Sequence, residues 1–262
     1  MGEWTAILLA GQRPGEDGFA AANNVAAKAL IRVGGEPMLG RVARTLLASP
    51  SVGRILVLAQ QPDVLFAGDL AWMAQEPRIA ASAGGEGISN SIAAIAGTPE
   101  APFPLLVTTA DHALLTAEMV ETFIAGAAGA DGAFALVERA VVERVHQTKR
   151  TWIKFSDGHY TGANLFALVT PASRASLGVW ARAEKDRKRA LKLLSFFGPQ
   201  ILLRAFTRTI AMETAVRKIG RKLGIRLRAV QLPYAEAAID VDKPADLELV
   251  ERIVAAREAE PA

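Results

Sequence analysis

Short apolar runs alternate with amphipathic stretches along most of the chain. Residues 4–10, 54–59, 105–109 and 131–137 have the length and composition of buried strands. The stretches between them carry apolar residues at helical spacing, which predicts helices over residues 38–48, 89–96 and 116–125. Strands that alternate with helices in this way predict an α/β fold, a three-layer αβα arrangement around a mostly parallel central sheet.

The pattern changes after Arg150. Residues 151–160 predict a hairpin that turns at Asp157-Gly158, and residues 164–169 predict a further strand. Residues 174–224 have a helical and basic pattern, residues 227–232 return to a strand pattern, and residues 244–256 predict a closing helix. We therefore expect a single domain over residues 1–262 with a basic helical insertion at about 174–226.

Composition narrows the possible chemistry. The 262 residues are 51% apolar and 22% charged, which is typical of a folded globular protein. The absence of cysteine excludes disulfides, thiolate metal sites and cysteine nucleophiles. Three histidines without paired spacing do not favour a zinc site. The first residues lack the pattern of a signal peptide, so we expect a cytoplasmic protein.

The net charge of +3 conceals an uneven distribution. Between Arg174 and Arg228 there are fifteen Lys/Arg residues against three acidic residues. Residues 182–206 combine this charge with leucine and phenylalanine, a pattern typical of a solvated helix with a packed apolar side. A sharper hypothesis is a surface that meets a phosphorylated lipid-like acceptor or an anionic membrane, peripheral to its inner face, although the segment is too short to span it. The segment lacks interleaved stacking aromatics, so no nucleic-acid partner is expected.

Two strand ends carry candidate chemistry. The first apolar run stops at Gly11, a Gly/Pro-rich loop follows, and Lys28 precedes the next apolar residues. A glycine loop followed by a lysine can offer backbone N–H groups and a cation to phosphate. The strand at 105–109 ends next to Asp111, a possible metal ligand or a turn cap. Because ligands bind beyond the carboxyl ends of parallel strands, these features together suggest a site for a nucleotide and a divalent metal.

The motifs resemble those of a known superfamily. It is the molybdenum-cofactor nucleotidyltransferase (MobA-like NTP transferase) superfamily, which has a GT-A-like, Rossmann-like fold. The resemblance covers roughly residues 4–170 and 227–256. The motifs that carry it are Leu9-Ala10-Gly11, Lys28-Ala29-Leu30, Gly34-Gly35-Glu36-Pro37-Met38-Leu39, Asp111 after its strand, and Ile239-Asp240-Val241-Asp242-Lys243-Pro244-Ala245-Asp246-Leu247.

The resemblance implies a role for each matching residue. Leu9, Ala10 and Gly11 would form the loop under the nucleotide, and Lys28 would contact its phosphates. Asp111 would bind Mg²⁺, with Asp240 or Asp242 as the second ligand. This chain departs from the family pattern because Gln12 replaces the second glycine and the loop over residues 14–27 is long. Arg13 is the candidate for the family's loop arginine.

Two further segments match substrate-binding parts of the family. The glycine-rich loop at 84–87 precedes a predicted helix, and the resemblance implies that it helps to bind the base through Gly87, Ser89, Asn90 and Ser91. Asn164 lies where the family begins its acceptor-side strand, so it is a candidate acceptor contact. By contrast, Asp246 fits the start of a helix, and His112 fits a local hydrogen-bonding residue.

These features predict a Mg²⁺-dependent nucleotidyltransferase. It would transfer the NMP moiety of an NTP, with CTP preferred by analogy with family members, to a phosphorylated small molecule or lipid precursor and release pyrophosphate. One rival is a GT-A glycosyltransferase, which would use a sugar nucleotide. An Asp-x-Asp on the metal strand would favour it, but here the strand ends in a single aspartate. A second rival is a non-catalytic, nucleotide-binding protein of the membrane surface, which the altered glycine loop keeps open.

Overall fold

The computed structural model describes residues 3–11, 17–85, 87–146, 150–185 and 209–259. We number the strands and helices of these ranges in chain order. The strands are β1 (Trp4–Leu9), β2 (Arg32–Val33), β3 (Glu36–Pro37), β4 (Val52–Ala59), β5 (Ile79–Ala83), β6 (Leu105–Thr109), β7 (Gly132–Glu138), β8 (Ile153–Phe155), β9 (Gly158–Leu168) and β10 (Leu227–Gln231).

The α-helices lie between these strands and at the end of the chain. They are α1 (Gly18–Ala22), α2 (Met38–Ala48), α3 (Pro62–Leu65), α4 (Ile88–Ile95), α5 (Ala117–Gly126), α6 (Arg139–Val145), α7 (Arg174–Lys185), α8 (Met212–Leu223) and α9 (Pro244–Ala259). The expected helix over residues 38–48 is confirmed at both ends. Thr116 caps α5 as expected, because its hydroxyl accepts a hydrogen bond from the Met119 N–H.

One large mixed sheet organises the molecule. Its strand order is β10-β7-β9-β6-β1-β4-β5, and β8 pairs with β9. Strand β9 runs antiparallel to β6, β7 and β8, whereas the other pairs in the sheet are parallel. The expected mostly parallel α/β sheet is therefore confirmed. Strands β2 and β3 form a separate small antiparallel ribbon.

Alternation along the strands divides the core into two layers. In β1, Ala6 and Leu8 face a cluster that also contains apolar residues of α2 and α5. Ile7 and Leu9 face the opposite cluster, which includes Ile92 of α4 and Leu177 of α7. Helices thus cover both faces of the sheet, which confirms the three-layer αβα arrangement.

Two features of the second half differ from or extend the sequence expectation. The hairpin strand and the strand expected at 164–169 are one continuous strand, β9. An irregularity lies inside β9, where Asn164 has φ +42° and the pairing register with β7 shifts. Of the predicted basic insertion, α7 and α8 are helical, while residues 186–208 lie outside the described residues.

Candidate active site

The proposed phosphate loop and the proposed metal strand meet at one edge of the sheet. Leu9 at the end of β1 pairs in register with Thr109 at the end of β6. The Ala110 N–H donates to the Leu9 carbonyl at 2.9 Å, so the chain segments leading to Gly11 and Asp111 leave the sheet side by side. Leu9 and Ala10 have buried side chains, so these two residues can offer a ligand only their backbone.

Lys28 joins two of the predicted aspartates. Its Nζ lies 2.6 Å from Asp111 Oδ2 and 2.5 Å from Asp242 Oδ1. The side chains of Lys28 and Asp111 are 22% and 21% exposed, whereas that of Asp242 is 62% exposed. We call these three residues the Lys28 cluster. It is an acidic pair bridged by one cation, half-open to solvent at the carboxyl edge of the sheet.

The charge on Lys28 is stabilised within this cluster. Partial burial disfavours the ammonium form, but the carboxylates of Asp111 and Asp242 outweigh burial and raise the pKa of Lys28 above its ordinary value. Lys28 therefore remains a cation at neutral pH. A fixed cation at this edge suits the binding of an anion such as a phosphate group.

Asp111 is held from several directions. The Thr109 hydroxyl donates to its Oδ1, and the Val241 N–H donates to its backbone carbonyl at 3.0 Å. The second contact joins the end of β6 directly to the segment that carries Asp240 and Asp242. Asp111 is thus oriented by its own strand, by Lys28 and by a segment far away in the sequence.

A third apolar cluster fixes the chain on either side of these charged residues. It contains Ile31 after Lys28, Ala113 and Leu114 after Asp111, and Val250 and Val254 of α9. Ile239 and Val241 belong to the same cluster, and they alternate with Asp240 and Asp242 along the chain. The apolar residues of this segment face the cluster, which leaves the two aspartates for polar partners.

Asp240 has partners different from those of Asp242. Its Oδ1 lies 2.6 Å from Arg150 Nη1, and its Oδ2 accepts a hydrogen bond from Asn164 Nδ2 at 3.4 Å. Burial alone would raise the pKa of Asp240, but the hydrogen bond and charge of Arg150 outweigh it and lower that pKa below its ordinary value. We call Arg150, Asp240 and Asn164 the Asp240 cluster. It adjoins the Lys28 cluster, because Asp240 and Asp242 are separated by Val241 alone.

His112 lies beneath the site and does not line it. Its side chain is fully buried, and burial lowers its pKa to about 4 despite the opposing charges of Asp111 and Asp240. The imidazole is therefore neutral at neutral pH. A backbone hydrogen bond with Ala237 also opposes this fall in pKa, although neither ring nitrogen has a hydrogen-bond partner of good geometry among the described residues. The buried ring cannot contact a substrate directly.

The proposed base-binding loop lies at the same edge of the sheet. Gly84 follows β5 and donates its N–H to the Ala59 carbonyl at the end of β4 at 2.7 Å. Gly87, at φ +82°, precedes the first turn of α4. The Ser91 hydroxyl donates to the Gly85 and Gly87 carbonyls, so it helps to fix the loop conformation. Ser89 is buried, and Asn90 is exposed.

The sequence identified Lys28 and the aspartates of the site, but it did not identify Arg150 or Thr109 as members. Thr109 could have been noticed as a hydroxyl residue at the strand end, two residues before Asp111. Arg150 had no such signal, since its partner is 90 residues away. Asp246 lies in the first turn of α9, as expected, and accepts a hydrogen bond from the Asp242 N–H. Arg13 lies outside the described residues.

The described ranges contain no group of three or more His, Cys, Asp or Glu residues with the geometry of a metal cage. They do contain two carboxylate oxygens, from Asp111 and Asp242, that converge on one cation. A pair of carboxylates fits Mg²⁺, which commonly uses one or two protein carboxylates together with substrate phosphates and water. Across the same ranges, none of the helices combines the length and apolar character needed to cross a membrane.

Comparison with known proteins identifies a family for this chain. The model of the MobA-like NTP transferase domain family matches residues 6–194. A hypothetical transferase from Thermus thermophilus is 29% identical, with a TM-score of 0.75, over 93% of this chain and 98% of that one. No curated protein matches the chain at a significant level.

Two more distant structures share the fold. The 4-diphosphocytidyl-2C-methyl-D-erythritol synthase of Anaerococcus prevotii is 13% identical, with a TM-score of 0.59, over 97% of this chain and 96% of its own. A CMP:2-keto-3-deoxy-manno-octonic acid synthetase, solved in complex with CTP, is 17% identical, with a TM-score of 0.60, over 97% and 99%. At these identities the likeness concerns the fold.

Proposed function

Because the chain belongs to the family of MobA-like NTP transferase domains, we propose that it transfers a nucleotidyl group from a nucleoside triphosphate to a phosphorylated small molecule or lipid precursor. The observation that carries this proposal is the position of Lys28 Nζ between Asp111 and Asp242. A cation and two carboxylates at that edge suit a triphosphate and a divalent metal.

The proposed reaction is a displacement at the α-phosphorus. An oxygen of the acceptor phosphate forms a bond to the α-phosphorus, the bond to the bridging oxygen breaks, and pyrophosphate leaves with that electron pair. An ionised acceptor phosphate needs no general base. This agrees with the site, where the one adjacent histidine, His112, is fully buried. The main demand is to bring anions together, which Lys28 meets by neutralising and orienting the phosphate groups.

Asp111 and Asp242 would hold the divalent cation, which we propose to be Mg²⁺. Asp240 is the alternative to Asp242 as the second ligand. A bound Mg²⁺ supplies charge neutralisation and alignment of the phosphate oxygens. Asp111 suits this role because Thr109 and Val241 orient it before any ligand arrives.

The remaining predicted residues would bind the two substrates. Leu9, Ala10 and Gly11 would offer backbone groups to the triphosphate, and Arg13 would approach it from the following loop. Gly87, Ser89, Asn90 and Ser91 would form the base side, and Asn164 the acceptor side. We propose CTP as the first triphosphate to test, because one fold neighbour was solved with CTP. The proposed contact of residues 182–206 with an anionic membrane concerns a segment whose side chains lie outside the described residues.

Pyrophosphate release tests this function. The full-length protein with Mg²⁺ should release pyrophosphate only when the correct triphosphate and phosphorylated acceptor are both present. Lys28→Ala and Asp111→Ala should each lower the rate by about 100-fold or more, the scale of losing one electrostatic contact in a transition state. Lys218→Ala is the matched control, because Lys218 lies on α8, which packs against the edge strand β10.

The same assay separates the rival functions. Full activity in Asp111→Ala, or no turnover across a panel of triphosphates and phosphorylated acceptors, would contradict the proposal. Release of a nucleoside diphosphate from a sugar nucleotide would favour the glycosyltransferase. Retained triphosphate binding without any turnover would favour the non-catalytic protein.

A further inference from the structure

Asp240 and Asp242 are close in sequence but differ in what holds them. Asp242 is 62% exposed and contacts Lys28, whereas Asp240 is 24% exposed and contacts Arg150 and Asn164. Both oxygens of Asp240 therefore already have a partner, one charged and one neutral. Of these two residues, Asp242 is the more available to a metal, because Asp240 is held by a largely buried guanidinium whereas the exposed Asp242 contacts one ammonium.

Arg150 is the principal partner of Asp240. Its side chain is 12% exposed, and its Nη1 contacts Asp240 Oδ1 at 2.6 Å. Its Nε is buried and has no hydrogen-bond partner among the described residues. A guanidinium keeps its charge when buried, so it offers Asp240 a permanent cation. An unpartnered nitrogen on a largely buried arginine costs free energy, which the ion pair with Asp240 offsets.

Asn164 completes the arrangement from the other side. It is an asparagine at φ +42°, in the part of β9 where the pairing register with β7 shifts. Asparagine tolerates this left-handed backbone conformation better than most residues. The irregularity brings its amide to Asp240, so both the sheet distortion and Arg150 act on the same carboxylate.

The charges around the site show what the pairing of Asp240 with Arg150 prevents. Three carboxylates, those of Asp111, Asp240 and Asp242, lie near two cations, Lys28 and Arg150. Without Arg150, Asp240 would be an unpaired, partly buried carboxylate next to the Lys28 cluster. It would then compete for Lys28 or for a divalent cation.

We propose that Arg150 is a positioning residue that, together with Asn164, holds Asp240 away from the cation site and leaves Asp111 and Asp242 as its two carboxylates. This inference rests on the proposed function, because it specifies which aspartates of the site serve the cation. It assigns a role to Arg150 and distinguishes Asp240 from Asp242. Arg150 acts through Asp240 and not on a substrate.

A second pair of residues allows a purely structural role for Arg150 to be tested. The segment between α6 and β8 is also joined to residues 235–242 by a second pair, His146 Nε2 and Glu236 Oε1, at 3.1 Å. This pair connects the same two parts of the chain but does not contain a site aspartate. Loss of a simple brace should have the same consequence in either pair, whereas loss of the proposed positioning should follow Arg150 alone.

Binding of Mn²⁺ to the nucleotide-free, full-length protein tests the proposal by electron paramagnetic resonance titration. Asp242→Asn should weaken Mn²⁺ binding by about 10-fold or more, while isosteric Asp240→Asn should change it by less than about threefold. Arg150→Met should tighten Mn²⁺ binding several-fold, because Asp240 becomes a third carboxylate for the ion.

Three further variants sharpen the result. The double variant Arg150→Met/Asp240→Asn should lose the gain in affinity, Arg150→Lys should remain near wild type, and His146→Asn should be unchanged. Urea unfolding of each variant identifies any that fails to fold, and the comparison of Asp240→Asn with Asp242→Asn stands without Arg150→Met.

The proposal is overturned if Asp240→Asn weakens Mn²⁺ binding as much as Asp242→Asn does. It is equally overturned if Arg150→Met leaves the affinity unchanged, or if the wild-type protein binds no Mn²⁺. The titration needs no turnover. The expected pattern of affinities without pyrophosphate release would therefore refute the proposed reaction while leaving the role of Arg150 intact.

Discussion

Lys28 forms ion pairs with two aspartates of the site. It is the shared partner of Asp111 and Asp242, and the sequence identified it from its place after a glycine loop. The sequence could not show which aspartate it would meet, because that depends on the alternation of Ile239 and Val241 into a buried cluster. Folding of distant segments thus decides the composition of the site.

The unequal exposure of its partners predicts unequal costs of mutation. Lys28→Met should lower the free energy of unfolding by about 1–2 kcal/mol, since it leaves the partly buried Asp111 carboxylate without its cation. Asp242→Asn should cost less than about 0.5 kcal/mol, because that side chain is mostly in solvent. Urea unfolding at pH 7 measures both. Equal costs for the two substitutions would contradict this account.

At the scale of elements, the helices and strands with clear periodicity were predicted well. Helix α2 begins and ends where the pattern placed it, and Thr116 caps α5. The continuity of β9 was not predicted, because the left-handed Asn164 inside a strand has no distinct sequence signal. Arg150 was missed for a related reason, since only the folded chain brings it to Asp240.

Two helical glycines predict opposite effects of added volume. A Cβ on Gly220 of α8 would lie 2.7 Å from the Ile225 backbone carbonyl oxygen, so Gly220→Ala should destabilise the protein by about 1–3 kcal/mol. Among the described residues, nothing lies within 4 Å of such a Cβ on Gly178 of α7, so Gly178→Ala should stabilise the protein by about 0.5–1 kcal/mol. Thermal and urea unfolding of the matched pair check the signs, and a stabilising Gly220→Ala would show that this contact is wrong.

Asp131 joins the ends of three strands and predicts a dependence of stability on pH. Its carboxylate accepts hydrogen bonds from the Arg226 guanidinium, the Arg226 N–H and the Thr170 hydroxyl, just before β7 and β10 and just after β9. The Arg226 contacts hold the pKa of Asp131 well below its ordinary value. Because the folded-state pKa is depressed, this stabilisation is present above about pH 4, the unfolded pKa, and is lost as pH falls towards the folded one.

Asp131→Asn should therefore lower stability at pH 7 and reduce the loss of stability between about pH 4 and pH 2. Denaturant unfolding of both proteins across that range measures the difference. Glu213→Gln is the control, because Glu213 forms an exposed pair with Arg217 within α8. The same acid sensitivity in the wild type and Asp131→Asn would exclude a contribution from this carboxylate.

On the scale of the whole molecule, the site lies at the carboxyl edge of the sheet, where Gly11, the loop at 84–87 and Asp111 follow the parallel strands β1, β5 and β6. A ligand that binds only the folded state should raise its stability, by about 2.7 kcal/mol at 100 times its dissociation constant. We expect the correct triphosphate with Mg²⁺ to raise the melting temperature by roughly 5–10 °C. Thermal scans should show no such rise for Lys28→Ala, whereas a rise of the same size in that variant would remove Lys28 from the nucleotide site.

The central claim is that this edge of the sheet transfers a nucleotidyl group. The most direct measurement is ³¹P NMR of the full-length protein with Mg²⁺, the triphosphate that gives pyrophosphate release, and its phosphorylated acceptor. We expect equal amounts of pyrophosphate and of a new phosphoanhydride joining the nucleotide α-phosphorus to the acceptor, with neither signal in Asp111→Ala. Products that contain orthophosphate or a nucleoside diphosphate in place of pyrophosphate would contradict it, as would an unchanged spectrum.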